Sequence, residues 1–320
     1  MADPVSDILP RRRLPGTDLD VTAVAAGGGV LASMPRVFPD DVPEERALAT
    51  IRNVLDGPLN FLDTGASYGQ GESERRIGIV LRERGGLPPG FVLATKVDPD
   101  PQTRDFSGSQ ALRSAEQSLA RLGLDRLQLL HLHDPERIPF EQAMAPDGPV
   151  EAMLRLQREG VVRYLGVAGG RIDLLRRFVA TGAFQVVLTH NRYTLVDRSA
   201  EPLVEDATRA GVGVLNAAIY GGGILAKGPA TVPTYAYRPA DPQVLERIQR
   251  MSSLCAGAGV PLRTVALRFS VREARIAATV VGFSRPERIA DVVEQLRTPI
   301  PDSLWAALES EVPSETVWLR

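Results

Sequence analysis

An apolar run gives way abruptly to polar residues at positions 61–69, which read Phe-Leu-Asp-Thr-Gly-Ala-Ser-Tyr-Gly. Residues 91–96 (Phe-Val-Leu-Ala-Thr-Lys) and 127–135 (Leu-Gln-Leu-Leu-His-Leu-His-Asp-Pro) repeat this arrangement. The three runs predict successive strands that end in ionisable side chains. In parallel α/β proteins catalytic groups gather at the carboxyl ends of strands, so we expect these side chains to converge on one site.

Four polar residues at these strand ends form the predicted catalytic group, namely Asp63, Tyr68, Lys96 and His133. A phenol with a pKa of about 10 is a poor acid or base near neutral pH unless a nearby cation lowers that pKa. We expect Lys96 to act on Tyr68 in this way, with Asp63 pairing with Lys96. His133 would hydrogen-bond the substrate oxygen. This group suits proton transfer to a carbonyl oxygen, and a nicotinamide cofactor is implied because no side chain supplies hydride.

Strand-like and helix-like segments alternate along the 320 residues, which predicts a parallel sheet. Eight such units without a dividing linker predict fold class α/β, as a single (β/α)8 TIM barrel domain over residues 1–320. A doubly wound open sheet is the alternative. Residues 13–21 resemble a short N-terminal hairpin that could plug the bottom of a barrel, and residues 1–12 are predicted to be a flexible tail.

The predicted element boundaries follow from hydrophobic periodicity and from glycine caps. Strands are predicted in the runs that contain Phe61, Phe91 and His133, and at 21–26, 161–167, 184–189, 212–215 and 276–281. Helices are predicted at 43–55, 72–84, 111–122, 150–158, 173–180, 201–210, 243–255, 262–271 and 286–296.

The composition favours a small-molecule substrate. A net charge of −2 and a pI near 6.0 argue against nucleic-acid and membrane-surface partners, which usually call for a basic excess. The one cysteine, Cys255, allows no intramolecular disulfide, which fits a reducing cytosol. We see no signal peptide and no apolar run near the roughly 20 residues of a membrane span. A cytoplasmic location and a monomer or small homo-oligomer are therefore expected.

The chain resembles the aldo-keto reductases. The matching stretches, in the family's order, are residues 60–69, 95–96, 133–135, 160–167 and 282–288. The resemblance implies a (β/α)8 barrel that binds extended NAD(P)(H) without a Rossmann domain, with Tyr68 as general acid/base supported by Asp63, Lys96 and His133. Residues 192–197 and 220–225 look most like the branch of bacterial aldose 1-dehydrogenases that includes L-fucose, D-galactose and pyridoxal dehydrogenases. A sugar or sugar-like substrate is implied.

The resemblance also implies a set of cofactor-binding positions. They are Asp63, Ala168, Gly169, His190, Asn191, Asn216, Gly223, Leu225, Gly282, Ser284, Arg285 and Arg288. Several depart from the family's pattern: Ala168 and Gly169 stand where many relatives carry Ser-Asn, His190 replaces a glutamine, and Asn216 stands where an aromatic residue often stacks on nicotinamide. Amide hydrogen bonds from Asn191 and Asn216 could compensate for these losses.

The positions near the carboxyl end concern the choice between NADP and NAD. Arg288 matches the position that contacts the adenosine phosphate, whereas Gly282 occupies the place where a lysine often fixes the 2′-phosphate. Ser284 and Arg285 could partly compensate, since arginine binds phosphate bidentately. The resemblance leaves both cofactors open and slightly favours NADP.

Two alternatives to a reductase remain at this stage. His131 and His133 lie on one strand face, and a His-x-His pair binds zinc in metal-dependent hydrolases that use the same barrel. The chain has only three histidines, so we favour His131 as a hydrogen-bonded interior residue and assign no metal. The second alternative is a non-catalytic barrel that binds a nucleotide as a regulatory subunit, which loss of the proton donor would support.

Overall fold

The computed structural model describes residues 9–34 and 41–319, and a closed barrel of eight parallel strands forms its centre. The strands, in chain order, are β1 (Arg11–Arg13), β2 (Asp20–Thr22), β3 (Val24–Gly27), β4 (Phe61–Asp63), β5 (Val92–Val97), β6 (Leu127–His133), β7 (Val162–Gly169), β8 (Val186–His190), β9 (Gly213–Ala217), β10 (Thr234–Tyr235), β11 (Arg238–Pro239) and β12 (Ile276–Gly282). Strands β3 to β9 lie side by side in order, and β12 completes the ring between β9 and β3. Closure confirms the predicted TIM barrel and rules out the open sheet.

A hairpin of β1 and β2 closes the bottom of the barrel, as predicted. Leu14 and Val21 of this hairpin are buried among the apolar side chains that fill the barrel interior. The turn passes close to the amino-terminal ends of β8 and β9. A Cβ atom on Gly16, which has a φ of +75°, would lie 3.0 Å from the carbonyl oxygens of Gln185 and Gly211. Only glycine suits both that conformation and that approach.

Alternate strand positions face the barrel interior or the surrounding helices. The interior cluster includes Phe61, Ala94 and Leu129, whereas Leu62 and Leu130 belong to the larger cluster under the helices. This separation follows from the two-residue period of a strand. Further along the same interior faces, at the carboxyl ends of β4, β5 and β6, the side chains become polar.

Twelve α-helices surround the barrel in the part of the chain that the structure describes. They are α1 (Glu44–Asp56), α2 (Glu72–Arg84), α3 (Gly108–Leu122), α4 (Phe140–Ala143), α5 (Pro149–Arg158), α6 (Ile172–Ala180), α7 (Glu201–Arg209), α8 (Ile224–Lys227), α9 (Pro242–Gly257), α10 (Leu262–Val271), α11 (Arg288–Arg297) and α12 (Asp302–Glu309). The predicted bounds of α2 and α10 are confirmed. Helix α3 begins earlier than predicted because Ser107 caps it by accepting from the Gln110 amide. Helix α12 was not predicted.

The predicted strand at 21–26 is two strands. Val21 belongs to the hairpin and Val24 to the barrel, and the chain changes sheet at Ala23. The Thr22 hydroxyl donates to the Val24 carbonyl at 2.8 Å, and the Thr22 amide donates to the Asn60 side chain at 2.7 Å. These local bonds satisfy the backbone where it leaves one sheet for the other, and a pattern of apolar residues does not reveal them.

Part of the predicted flexible tail, residues 1–12, belongs to the hairpin instead. Residues 1–8 lie outside the described residues, but Arg11 and Arg12 belong to β1. Arg12 donates hydrogen bonds to the carbonyl oxygens of Val271, Glu273 and Ile276, at 2.6, 3.2 and 2.6 Å. Its guanidinium therefore joins the hairpin to the segment between α10 and β12.

Within residues 9–34 and 41–319, no single helix is both long and apolar enough to cross a membrane. One pair, α9 with α10, has the required length and composition only across a bend of 100°.

Candidate active site

The carboxyl ends of the barrel strands surround a cavity of about 550 Å³. Eleven of the predicted site residues line it: Asp63, Tyr68, Lys96, His133, Ala168, Gly169, His190, Gly223, Gly282, Ser284 and Arg288. The four residues predicted from the strand ends are therefore brought together, on the β4 to β6 side of the mouth.

Lys96 and Asp63 form a buried ion pair in the wall of this cavity. Lys96 Nζ is 2.6 Å from Asp63 Oδ2 and also donates to the Thr64 carbonyl oxygen, and the two side chains are 1% and 4% exposed. A charge removed from water is costly unless it is paired, so the partners hold each other in place. Burial lowers the pKa of Lys96, but Asp63 and Tyr68 outweigh it and raise that pKa above its usual value. Lys96 is therefore a cation at neutral pH.

Tyr68 lies beyond the end of β4, as the odd spacing from Asp63 predicts. Its amide donates to the Gly65 carbonyl at 3.1 Å, and Lys96 Nζ lies 4.8 Å from the centre of its ring. Burial raises the pKa of Tyr68 to about 12, while the Lys96 ammonium opposes that rise. The direction of the lysine effect agrees with the prediction, but desolvation is larger. Tyr68 therefore keeps its proton at neutral pH and can donate it to a developing alkoxide.

His133 is held by a carboxylate that the sequence reading missed. Its Nδ1 is 2.8 Å from Oδ1 of Asp98, so this nitrogen carries a proton and Nε2 is left to face the cavity. The rings of His133 and Tyr68 meet edge to face with their centres 5.7 Å apart. Asp98 stands two residues after Lys96, at the spacing of one strand face, and that spacing was the available signal.

His131 lies deeper on the interior face of β6, as predicted, but the predicted hydrogen bond is not seen. It is fully buried, and neither ring nitrogen has a hydrogen-bond partner within residues 9–34 and 41–319. Burial lowers its pKa well below the usual value, so the ring is neutral. Among residues 9–34 and 41–319, no three His, Cys, Asp or Glu side chains form a group that could hold a metal ion. The geometry therefore gives the zinc hydrolase alternative no ligand set.

Asn216 does not face the cavity. Its side-chain amide donates to the Tyr193 carbonyl and to the Ser270 hydroxyl, both at 2.8 Å, and Ser270 lies on α10 outside the barrel. The cavity is lined instead by Ala217, the next residue of β9. Because side chains alternate along a strand, the prediction, which was displaced by one residue, selected the face that points away from the cavity.

Three further predicted cofactor positions do not line the cavity either, and they are Asn191, Leu225 and Arg285. The Asn191 side chain lies 3.1 Å from His190 Nδ1, and its carbonyl accepts from the Tyr235 hydroxyl. Leu225 is buried in the apolar core, and Arg285 is exposed. Sequence similarity placed these residues near the site, but their orientation depends on the fold around them.

The β7 and β8 side of the mouth presents small or neutral groups. Ala168 and Gly169 offer no polar side chain, and burial lowers the pKa of His190 to about 4, so that its ring is neutral at pH 7. A Cβ atom on Gly169 would lie 2.8 Å from Glu136 Oε2 and 3.1 Å from Pro135 Cδ. The close approach of these side chains explains why the family's asparagine does not fit here without rearrangement.

The lining residues suit a dinucleotide. Gly223 and Gly282 allow close approach to backbone groups, while Ser284 and Arg288 offer a hydroxyl and a guanidinium at the edge of the cavity. Asp63 Oδ1 is buried and has no hydrogen-bond partner among the described residues, so it is able to accept a hydrogen bond from a ligand hydroxyl. This donor and acceptor set fits a nicotinamide nucleotide.

Comparison with known proteins agrees with a nicotinamide nucleotide site. Residues 27–312 match the Aldo/keto reductase family. The chain is 30% identical over 316 residues to D-threo-aldose 1-dehydrogenase from a Pseudomonas species, covering 91% of this chain and 94% of that protein. It is 30% identical to L-galactose dehydrogenase from Arabidopsis thaliana over 286 residues (88% and 86% covered). Pyridoxal 4-dehydrogenase from Microbacterium luteolum is 25% identical over 342 residues (94% and 97% covered).

A solved structure shares the fold. The holo form of the aldo-keto reductase AKR11C1 from Bacillus halodurans superposes with a TM-score of 0.77 at 22% identity, covering 98% of this chain and 99% of that chain. Barrel and relatives together define an NAD(P)-dependent oxidoreductase that interconverts a carbonyl group and an alcohol or hemiacetal. The chain belongs to the aldo/keto reductase family, as its sequence pattern predicts.

Proposed function

We propose that this oxidoreductase acts on a sugar or a sugar-like polar aldehyde, with Tyr68 as the general acid/base. The observation that carries the proposal is the convergence of Tyr68, Lys96 and His133 on one cavity, with the Lys96 ammonium beside the Tyr68 ring and fixed by Asp63. A proton donor, a cation that stabilises its conjugate base and a second donor for the substrate oxygen are the groups that carbonyl reduction needs.

The proposed reduction uses each residue once. The substrate oxygen accepts hydrogen bonds from the Tyr68 hydroxyl and from His133, which orient the carbonyl carbon. The hydride for that carbon would come from NAD(P)H, which Ser284 and Arg288 among the lining residues would help to hold. As negative charge develops on oxygen, Tyr68 donates its proton, and Lys96 stabilises the tyrosinate until a proton from solvent restores it. Oxidation of an alcohol or of an aldose hemiacetal runs the same steps backwards, with tyrosinate as the base.

A hydroxylated substrate is supported by the polar groups around His133. Asp134 and Arg137 line the cavity, and Asp134 Oδ1 lies 3.8 Å from His133 Nε2. A carboxylate and a guanidinium beside His133 can hydrogen-bond the hydroxyl groups next to the carbonyl of a small sugar. Relatives named for D-threo-aldose and L-galactose oxidation point the same way.

For the cofactor we propose NADP with a slight preference over NAD. Ser284 and Arg288 line the cavity and are suited to hold a phosphate, whereas Gly282 offers no side chain for that purpose. Arg285 is exposed and does not line the cavity, so Arg288 would be the principal charge. The cytoplasmic location and the monomeric or small homo-oligomeric state remain predictions from composition.

A panel of aldoses and small aldehydes, assayed with NADP(H) and NAD(H) in both directions, tests this proposal. We expect turnover of hydroxylated substrates, faster with NADP(H), and little turnover of apolar aldehydes. A protein that binds NADPH tightly but gives no absorbance change with any substrate would instead be the regulatory barrel. A preference for apolar aldehydes would contradict the sugar assignment while leaving the tyrosine chemistry intact.

A further inference from the structure

Asp98 is a buried carboxylate directly after β5, and α3 fixes its backbone. Its amide donates to the Ser114 hydroxyl at 3.1 Å, and its carbonyl accepts from the Gln110 side chain at 3.2 Å. The residue is 5% exposed. An ionisable side chain held in this way cannot turn to solvent. Its carboxylate therefore needs hydrogen-bond partners within the protein.

The two oxygens of this carboxylate bind two different parts of the catalytic group. Oδ1 lies 2.8 Å from His133 Nδ1, and Oδ2 accepts from the Ser67 amide at 2.9 Å. Ser67 directly precedes Tyr68, and the Ser67 hydroxyl also lies 3.3 Å from His133 Nδ1. The Asp98 carboxylate therefore links the His133 imidazole on β6 to the turn that carries Tyr68.

We infer that Asp98 is a positioning residue for the reaction, which fixes His133 with its proton on Nδ1 and sets the distance between His133 and the Tyr68 turn. The inference rests on the proposed function. It adds to the four catalytic residues a fifth residue, which acts through His133 and Tyr68. Because a carboxylate only accepts, Nδ1 must donate to it, and in the protonated ring Nε2 carries the second proton, which it donates to the substrate oxygen. Asp98 itself touches neither substrate nor cofactor.

The charges around His133 give this arrangement a measurable consequence. Burial and the Lys96 ammonium lower the pKa of His133, whereas Asp98 and Asp134 raise it above its usual value. Two further polar rings are near it: Tyr68 from the β4 turn meets it edge to face, and His190 from β8 lines the same cavity. Burial raises the pKa of Asp98, but His133 and the Ser67 amide outweigh it and lower that pKa below its usual value, so the carboxylate stays ionised near neutral pH. Without Asp98, burial and the Lys96 ammonium would be opposed only by Asp134, so the pKa of His133 would fall.

The primary experiment is Asp98→Asn, with Asp100→Asn as the matched control. An amide at position 98 carries no charge and is able to donate to Nδ1, which would leave His133 as a neutral ring without the positive charge that stabilises the developing alkoxide. We expect kcat to fall roughly 10- to 100-fold, with NADPH affinity unchanged within about twofold. The alkaline limb of the kcat/KM profile should move to lower pH. Asp100→Asn makes the same chemical change and should leave both the profile and kcat close to wild type, because Asp100 does not line the cavity and accepts from the neighbouring Gln102 and Thr103 amides.

A double-mutant comparison separates positioning from general damage. In a His133→Gln background, Asp98→Asn should cost less than about threefold more, because the interaction that it removes is already absent. An equal loss with and without His133 would overturn the inference, since Asp98 would then act through structure alone. Unchanged kcat and pH profile in Asp98→Asn would overturn it directly.

Nuclear magnetic resonance tests the same point without a substrate and without a variant. The chain has three histidines, so the imidazole signals of the wild-type protein are few enough to assign. We expect His133 to carry its proton on Nδ1 and to titrate above 6.5, the ordinary histidine pKa. An Nε2 tautomer or a lower pKa would refute the role of Asp98, whereas inactivity towards all carbonyls would refute only the proposed function.

Discussion

The two halves of the barrel mouth hold their ligands in different ways. On the side of β4, β5 and β6 the side chains form one hydrogen-bonded and ion-paired group, in which Lys96 is bound to Asp63 and His133 to Asp98. On the side of β7, β8 and β9 the cavity is lined by Ala168, by a neutral histidine and by Ala217. Proton transfer on the first side needs atoms that are fixed to within fractions of an ångström. On the second side, small side chains and backbone groups are enough to hold a flat nicotinamide ring.

The comparison predicts that a change on the charged half is the most damaging. Lys96→Met removes the cation that stabilises tyrosinate and leaves the Asp63 carboxylate buried without its partner. We expect turnover to fall by roughly 10²- to 10⁴-fold and the free energy of unfolding to fall by about 3–5 kcal/mol. Steady-state kinetics and urea unfolding measure the two effects. Thr95→Ser, one residue away on the opposite face, serves as the control.

The next largest effect is expected at the phosphate end of the cavity. Arg288→Ala should weaken NADPH binding by about 10- to 100-fold, because a hydrogen bond to a charged group contributes about 1.5–3 kcal/mol. Arg285→Ala is the matched control and should change affinity by less than about twofold, since Arg285 does not line the cavity. Fluorescence titration with NADPH measures both. The reverse ranking of the two variants would show that the exposed arginine is the phosphate ligand.

A third prediction concerns stability rather than ligand binding. Asn216→Ala removes two hydrogen bonds between β9 and its surroundings, and it leaves the Tyr193 carbonyl without that donor. We expect the free energy of unfolding to fall by about 1–3 kcal/mol, measured in urea, with NADPH affinity unchanged. Weaker cofactor binding in a fully folded variant would restore Asn216 to the cofactor site.

The smallest effect is expected at His190. Because burial holds the pKa of His190 near 4, its ring stays neutral between pH 6 and 8, and NADPH affinity should not follow a histidine titration in that range. His190→Gln should change affinity by less than about threefold at pH 7. Affinity that falls with an apparent pKa near 6.5 in the wild type, but not in the glutamine variant, would contradict this.

Much of the fold was predictable because it rests on local periodicity. The helix at Glu72–Arg84 and the strand that ends at His133 each carry their pattern within one short segment. The catalytic group was predictable for the same reason, since each member stands where an apolar run ends. What the sequence misplaced or missed depends on contacts across the chain. Asn216 faces α10 rather than the cavity, and Asp98 has its spacing from Lys96 as a signal, but its pairing with His133 is evident only once β6 lies beside β5.

The central claim is that Tyr68 provides the proton while the rest of the mouth holds the cofactor. The most direct measurement is single-turnover hydride transfer by Tyr68→Phe, with NADPH affinity determined on the same preparation. We predict that transfer slows by at least about 10²-fold while the Kd for NADPH stays within about twofold of wild type. Hydride transfer at a near-normal rate in this variant would contradict the account, because another group would then supply the proton.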